Sequence, residues 1–179
     1  MIFSPLLALI AVLIKLESPG PVFFTQKRVG KNERLFDVIK FRSMTAPETG
    51  EQRVEAAVED IDSFMFRPRG RKTVIGRALR ACSLDEMPNL LNVLRGDLHL
   101  VGPRPDEPEL VALYRPEWRR RHDVKPGITG LAQTHGRTDL TYAETMTYDL
   151  RYVDSRSVAG DIKIILKTLG VVVRREGAR

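Results

Sequence analysis

Asp85 and Glu86 stand side by side in the run Cys82-Ser83-Leu84-Asp85-Glu86-Met87-Pro88-Asn89. Adjacent carboxylates at the start of a helix can hold a divalent cation, and one of them can attack phosphorus. Pro88 lacks an N–H and its ring collides with a preceding helical turn, so a helix has to begin just before it. Apolar residues at 87, 90, 91 and 94 then keep helical spacing, and Gly96 can end the helix. Asp85 and Glu86 are thereby expected in the first turn or at the cap. Free N–H groups and the positive end of the helix dipole favour ionised carboxylates there. A structural alternative stands beside this one, because Ser83-x-x-Glu86 fits a capping box.

Three loops could bring donors to such a pair. In Gly102-Pro103-Arg104-Pro105 two prolines stiffen the backbone around one arginine, whose guanidinium could meet a phosphate with little further ordering, or simply project from a rigid turn. In His122-Asp123-Val124-Lys125-Pro126-Gly127-Ile128-Thr129-Gly130 the Pro-Gly step fits the centre of a type II turn. Its N–H groups could cradle an anion, or the segment could be a plain turn. Gln133-Thr134-His135-Gly136-Arg137 offers further donors, Arg137 foremost. His99, His122 and His135 are too widely spaced for a zinc pattern.

The elements that must position these loops follow from composition and periodicity. At 179 residues the chain is one domain of ordinary size, with 29 Lys plus Arg against 23 Asp plus Glu. Its charge of +6 is concentrated in Arg67, Arg69, Arg71 and Lys72 and in Arg115, Arg119, Arg120 and Arg121. Such clusters suit phosphate, an anionic lipid surface or nucleic acid, or form a solvated face. A single cysteine, Cys82, excludes an internal disulfide and a multi-cysteine metal site.

Residues 1–14 are apolar apart from Ser4 and Pro5. At about 1.5 Å per residue such a helix reaches roughly 20 Å, short of a hydrocarbon core of about 30 Å. The alternatives are a buried core helix or a segment that dips into one leaflet and returns, and Ser4-Pro5 favours the second. Residues 21–26 and 35–41 are predicted to pair as a hairpin, and residues 45–62 to be an acidic surface excursion with some helix. A short helix through Arg77-Ala78-Leu79-Arg80, an extended piece at 98–101, a helix at 109–114 and a segment after Pro116 follow. Thr141-x-x-Glu144 is a capping box opening a helix to about Tyr152, and a last helix spans about 161–174. The expected class is α+β: a mostly helical single domain with a small β-hairpin or sheet.

Five blocks now carry a resemblance: Lys40-Phe41-Arg42-Ser43-Met44; Arg80 with Ser83-Leu84-Asp85-Glu86-Met87-Pro88; Asn92-Val93-Leu94-Arg95-Gly96-Asp97; Gly102-Pro103-Arg104-Pro105; and Pro126-Gly127-Ile128-Thr129-Gly130-Leu131-Ala132-Gln133. In order and spacing the chain resembles the bacterial sugar transferases, the monotopic phosphoglycosyl transferases of cell-surface glycan assembly. The resemblance implies two steps. The aspartate at Asp85 attacks the β-phosphate of a nucleoside diphosphate sugar, usually a UDP-sugar, and expels the nucleoside monophosphate. A polyprenyl phosphate, typically undecaprenyl phosphate, then attacks the sugar-phosphoryl aspartate. Mg²⁺ is implied near Asp85 and Glu86, with Glu86 as metal ligand or base. Lys40, Arg80 and Arg104 are implied to bind phosphate oxygens. Arg137 and Asp149 are carried over from neighbouring similarity rather than from a sharp motif.

The same resemblance implies work at the cytoplasmic face of the bacterial inner membrane. Residues 1–16 would be a re-entrant, membrane-associated helix, and residues 17–179 the cytosolic catalytic domain. About fifteen to twenty basic and apolar residues precede Ser-Pro in the family, enough to enter a leaflet. Here only Met1-Ile2-Phe3 stand before Ser4, so the anchor is expected to be truncated or variant. A homodimer is left open. Two rival readings are a non-catalytic membrane-surface homologue and a basic nucleic-acid-binding module. No aromatic platform interleaves the cations, so no nucleic-acid partner is expected.

Overall fold

The structure is a computed structural model that describes residues 4–47, 60–65, 70–136 and 139–174. Arg67, Arg69, Arg137 and most of the acidic stretch between 45 and 62 lie outside the described residues.

The expected hairpin is present. Strand β1 (Phe23–Val29) pairs antiparallel with β2 (Leu35–Phe41), in a register running from Phe23 opposite Phe41 to Val29 opposite Leu35. A tight turn, Lys31–Glu33, joins them with Asn32 and Glu33 at positive φ. Alternation along β2 would send Lys40 and Phe41 to opposite faces. Phe41 enters the core and Lys40 reaches the site described below.

Helix α1 (Ser4–Glu17) lays Ile10 and Ile14 on Phe41 and on Leu79 of helix α2 (Val74–Ala81). Leu84 and Met87, the neighbours of the carboxylate pair, pack against the same cluster. Pro5 sits in the first turn of α1, where a missing N–H costs no helical bond. Two ties fix the far end of α1. Arg42 donates to the carbonyls of Ile14, Ser18 and Pro19, and the Glu17 carboxylate accepts from the N–H groups of Val74 and Ile75 at the start of α2. The other side of α1 exposes Leu9, Val12 and Leu16, which leaves this helix half core and half apolar surface. Among the described residues no helix is long and apolar enough to cross a membrane.

The single small sheet expected from the pattern is instead three two-stranded ladders among the described residues. Strand β3 (Met44–Pro47) pairs antiparallel with β4 (Gly70–Lys72), and β5 (His99–Val101) runs parallel to β6 (Gly127–Thr129). The last pairing overturns the type II turn at Pro126-Gly127. The described glycines with positive φ are Gly20 and Gly96, and the Gly127 N–H donates to the Pro103 carbonyl at 2.9 Å. Glycine is needed there for contact: a Cβ on Gly127 would lie 2.1 Å from the Gly102 nitrogen. With its N–H engaged, Gly127 offers nothing to an anion.

Gly96, at φ 82°, ends helix α3 (Leu90–Arg95) as the sequence suggested. Helix α4 (Pro108–Val111) is shorter than expected, and a 3-10 segment, Pro116–Asp123, follows. Helix α5 (Tyr142–Ser155) opens with the expected capping box: Thr141 accepts from the Glu144 N–H while the Glu144 carboxylate accepts from the Thr141 N–H. Its Tyr142 and Met146 join Val29, Val111, Tyr114 and Trp118 in a second core. Helix α6 (Val158–Arg174) covers a third, made by Val101, Val124, Tyr152 and Ile164.

Gly127→Ala should therefore force β6 away from Gly102, costing about 1–3 kcal/mol of stability in a urea titration. An unchanged midpoint and slope would contradict the close approach.

Candidate active site

The polypeptide enters the carboxylate pair through a strained residue. Ser83 is left-handed, at φ 55° and ψ 21°, and its side chain makes no capping bond. Leu84–Asn89 then forms a 3-10 segment, and α3 begins only at Leu90. The capping box read into Ser83-x-x-Glu86 is thus corrected. Its physical reason is competition, since the Glu86 carboxylate has two cations within reach, and charge-assisted bonds outweigh a neutral backbone cap.

Those cations come from two other parts of the chain. Lys40 Nζ, on β2, donates to Glu86 Oε1 at 2.7 Å, and Arg104 Nη2, from the proline-flanked loop, donates to the same oxygen at 2.9 Å. Neither bond uses Oε2. Burial alone would raise the Glu86 pKa, but Arg104 and then Lys40 outweigh it and hold the carboxyl well below its ordinary range. Arg104 is raised in turn, chiefly by Glu86. Burial and the Arg104 charge bring Lys40 down to about 8, against the opposing pull of Glu86.

Asp85 is treated differently by the same surroundings. It is partly exposed and makes no hydrogen bond or ion pair among the described residues. Burial, and next the Glu86 charge, raise its pKa, while Lys40, Arg80 and Arg104 pull the other way. Arg80 reaches this neighbourhood from α2, with Nη1 donating to Met44 Sδ at 3.3 Å. One carboxylate is therefore neutralised and fixed, and its neighbour is left open to a ligand.

Asp85, Glu86, Lys40, Arg80 and Arg104 lie together in one neighbourhood. Asp149 does not join them. Its carboxylate is buried in α5 and accepts from Arg121 Nη2 at 2.6 Å, and burial lifts its pKa to about 6 despite that partner. The second basic cluster also dissolves. Arg115 pairs with Asp62, Arg119 with Glu33, Arg120 with Asp154, and Arg121 is buried between Asp106 and Asp149. His122 is stacked on Tyr114 and His135 on Tyr148, which gives both rings structural partners.

No cluster of three or more metal-ligating side chains occurs among the described residues. The donor set still fits Mg²⁺ in its usual manner, through one or two carboxylates plus phosphate oxygens and water. Asp85 and the Oε2 of Glu86 are the oxygens that remain available.

Residues 1–175 match the family model described as bacterial sugar transferase. The chain is 40% identical over 185 residues to UDP-glucose:undecaprenyl-phosphate glucose-1-phosphate transferase of Caulobacter vibrioides, covering 99% of this chain and 66% of that protein. It is also 40% identical to UDP-N-acetylgalactosamine-undecaprenyl-phosphate N-acetylgalactosaminephosphotransferase of Aeromonas hydrophila, covering 99% of this chain and 41% of that protein. A third relative, exopolysaccharide production protein ExoY of Rhizobium meliloti, is 37% identical over 99% of this chain and 81% of its own length. The chain thus spans less than two thirds of the first two relatives it matches.

In an NMR titration of its side chain, Lys40 should deprotonate near pH 8, against about 10.4 for a solvated lysine. In Glu86→Gln the midpoint should fall further, because burial and Arg104 then act unopposed. A midpoint that stays put would mean Glu86 does not hold Lys40.

Proposed function

As the chain belongs to the bacterial sugar transferase family, we propose that it moves a sugar phosphate from a UDP-sugar to undecaprenyl phosphate, initiating a surface polysaccharide or glycoconjugate. The observation that carries this reading is the asymmetry of the pair: Glu86 locked between Lys40 and Arg104, Asp85 with no side-chain partner among the described residues.

Asp85 is the nucleophile. One of its oxygens attacks the phosphorus that bears the sugar, the bond to the bridging oxygen breaks, and UMP departs with the electron pair. An acyl phosphate between Asp85 and the sugar phosphate remains. An oxygen of undecaprenyl phosphate then attacks the same phosphorus, the Asp85 carboxylate leaves, and undecaprenyl diphosphate sugar is released. Both displacements ask chiefly for positioning and for positive charge around the phosphoryl oxygens.

Lys40, Arg80 and Arg104 supply that charge from three separate elements. Among the described residues the Arg80 side chain makes one weak bond, to a thioether, so a phosphate competes for it easily. Lys40 and Arg104 are shared with Glu86, which keeps them in place before substrate arrives. When bound, Mg²⁺ would be held by Asp85 and Glu86 and would withdraw charge from the phosphates. Of the two roles implied for Glu86, ligand suits it better than base, because a carboxyl so strongly favoured as an anion takes up a proton poorly.

The lipid substrate places the work at the cytoplasmic face of the inner membrane. The exposed Leu9, Val12 and Leu16 of α1 support contact with a leaflet, and the opposite face of α1 shares a core with Leu84 and Met87. A surface that grips lipid is thereby coupled to the turn that carries Asp85.

With radiolabelled UDP-sugars and undecaprenyl phosphate, the wild-type chain should form labelled lipid and release UMP, with at least one sugar of a panel accepted. Asp85→Asn should lower the rate by about 10³-fold or more, since it removes the nucleophile rather than a helper. Equal turnover by the two proteins would sink the covalent route, and no turnover with any UDP-sugar would sink the assignment of donor.

A further inference from the structure

The bond to Glu86 does not by itself set where Arg104 starts from. The Arg104 side chain is 38% exposed, and among the described residues its guanidinium bonds to Glu86 alone, a group that substrate and metal would also approach. Where its guanidinium starts from is decided by the backbone of the 102–107 loop. Two other arginines seize that backbone.

Arg121, with a side chain 2% exposed, divides its fork among four acceptors. Nη2 donates to the Arg104 carbonyl and to the Asp149 carboxylate, each at 2.6 Å, and Nη1 donates to the Asp106 carboxylate and to the Tyr114 hydroxyl. Tyr114 and Tyr142 donate to the same Asp106 oxygen. Arg28, on β1, does the same one residue further along. Nη1 donates to the Pro105 carbonyl at 3.2 Å, and Nη2 pairs with the Glu107 carboxylate at 3.0 Å, which Gln26 also approaches. The Val29 N–H completes the set on the Asp106 carbonyl at 2.9 Å. Four successive residues, 104 to 107, are thus gripped at a carbonyl, a carboxylate or both.

Burying this many charges is a poor way to gain stability, because desolvation cancels much of the attraction and apolar side chains of equal volume would serve as well. What charged forks do better is fix geometry, since a guanidinium bonds several acceptors in set directions where an ammonium cannot. We infer that Arg121 and Arg28 are positioning residues that clamp the loop at its Arg104 and Pro105 carbonyls and so set the guanidinium of Arg104 for a phosphate ligand. This rests on the phosphate-binding role proposed for Arg104. Asp149 acts one step further back, by holding Arg121.

A double-mutant cycle read by inorganic pyrophosphate binding, measured calorimetrically on the full chain, separates positioning from stability. Arg121→Lys keeps the charge and loses the fork. It should weaken pyrophosphate binding by about tenfold with Arg104 present and by less than about twofold in an Arg104→Ala background. Thr141→Ala, which uncaps the helix carrying Asp149 without touching the loop, should lower the melting temperature and leave pyrophosphate affinity unchanged. If Arg121→Lys does not fold, Tyr114→Phe and Arg28→Lys run through the same cycle. Equal losses in both backgrounds, or a matching loss in Thr141→Ala, would overturn the clamp. Binding that does not depend on Arg104 at all, seen in Arg104→Ala alone, would instead remove the phosphate role on which it rests. UDP-sugar turnover by the wild type tests the assigned reaction separately.

Discussion

One oxygen, Glu86 Oε1, accepts bonds from Lys40 Nζ and Arg104 Nη2. Through it a hairpin strand, a 3-10 turn and a proline-stiffened loop meet, and the architecture around them can be read as the means of bringing three such pieces within 3 Å of each other. The hairpin presents Lys40. The cluster of Ile10, Ile14, Phe41 and Leu79 seats Leu84 and Met87 and so fixes the turn from beneath. The parallel pairing of β5 and β6, with glycine where the backbones touch, carries the chain into the loop of Arg104.

The contact is costly in isolation, because two cations and a carboxylate lose much of their hydration. Lys40 registers that cost as a depressed pKa, and Glu86 registers the compensation as an anion held far below its usual titration range. Asp85 stands beside this arrangement and gains none of its bonds. Its raised pKa is the sign of a carboxylate pressed by burial and by a neighbouring negative charge. Adjacent residues of the same chemistry thus acquire separate duties from their surroundings alone.

Much of this was legible in the sequence. The block Lys40-Phe41-Arg42-Ser43-Met44 decodes residue by residue: an ion pair, a core anchor, a tie to the end of α1, a carbonyl on which Gly76 packs and a sulfur for Arg80. The Thr141 capping box and the Gly96 stop follow local rules and were readable as such. Ser83 was not, because no local pattern calls for its left-handed backbone, and the partners that engage Glu86 in place of a cap are distant in sequence. Arg119, Arg120 and Arg121 looked like one cationic face. In a 3-10 segment consecutive residues point about 120° apart, so they disperse to Glu33, Asp154 and the core. Asp149 could have been placed better from spacing, since with Tyr142 and Met146 it falls on the buried stripe of α5.

The central claim is the proposal that Asp85, whose side chain has no hydrogen-bond or ion-pair partner among the described residues, bonds to phosphorus, and peptide mass spectrometry tests it most directly. The chain is incubated with a UDP-sugar that it accepts, Mg²⁺ present and undecaprenyl phosphate withheld, then quenched in acid and digested. The account predicts a mass increase of one sugar phosphate on the peptide containing Asp85, discharged when undecaprenyl phosphate is added before the quench. UMP release with no adduct on that peptide, or an adduct mapped to Glu86, would contradict it.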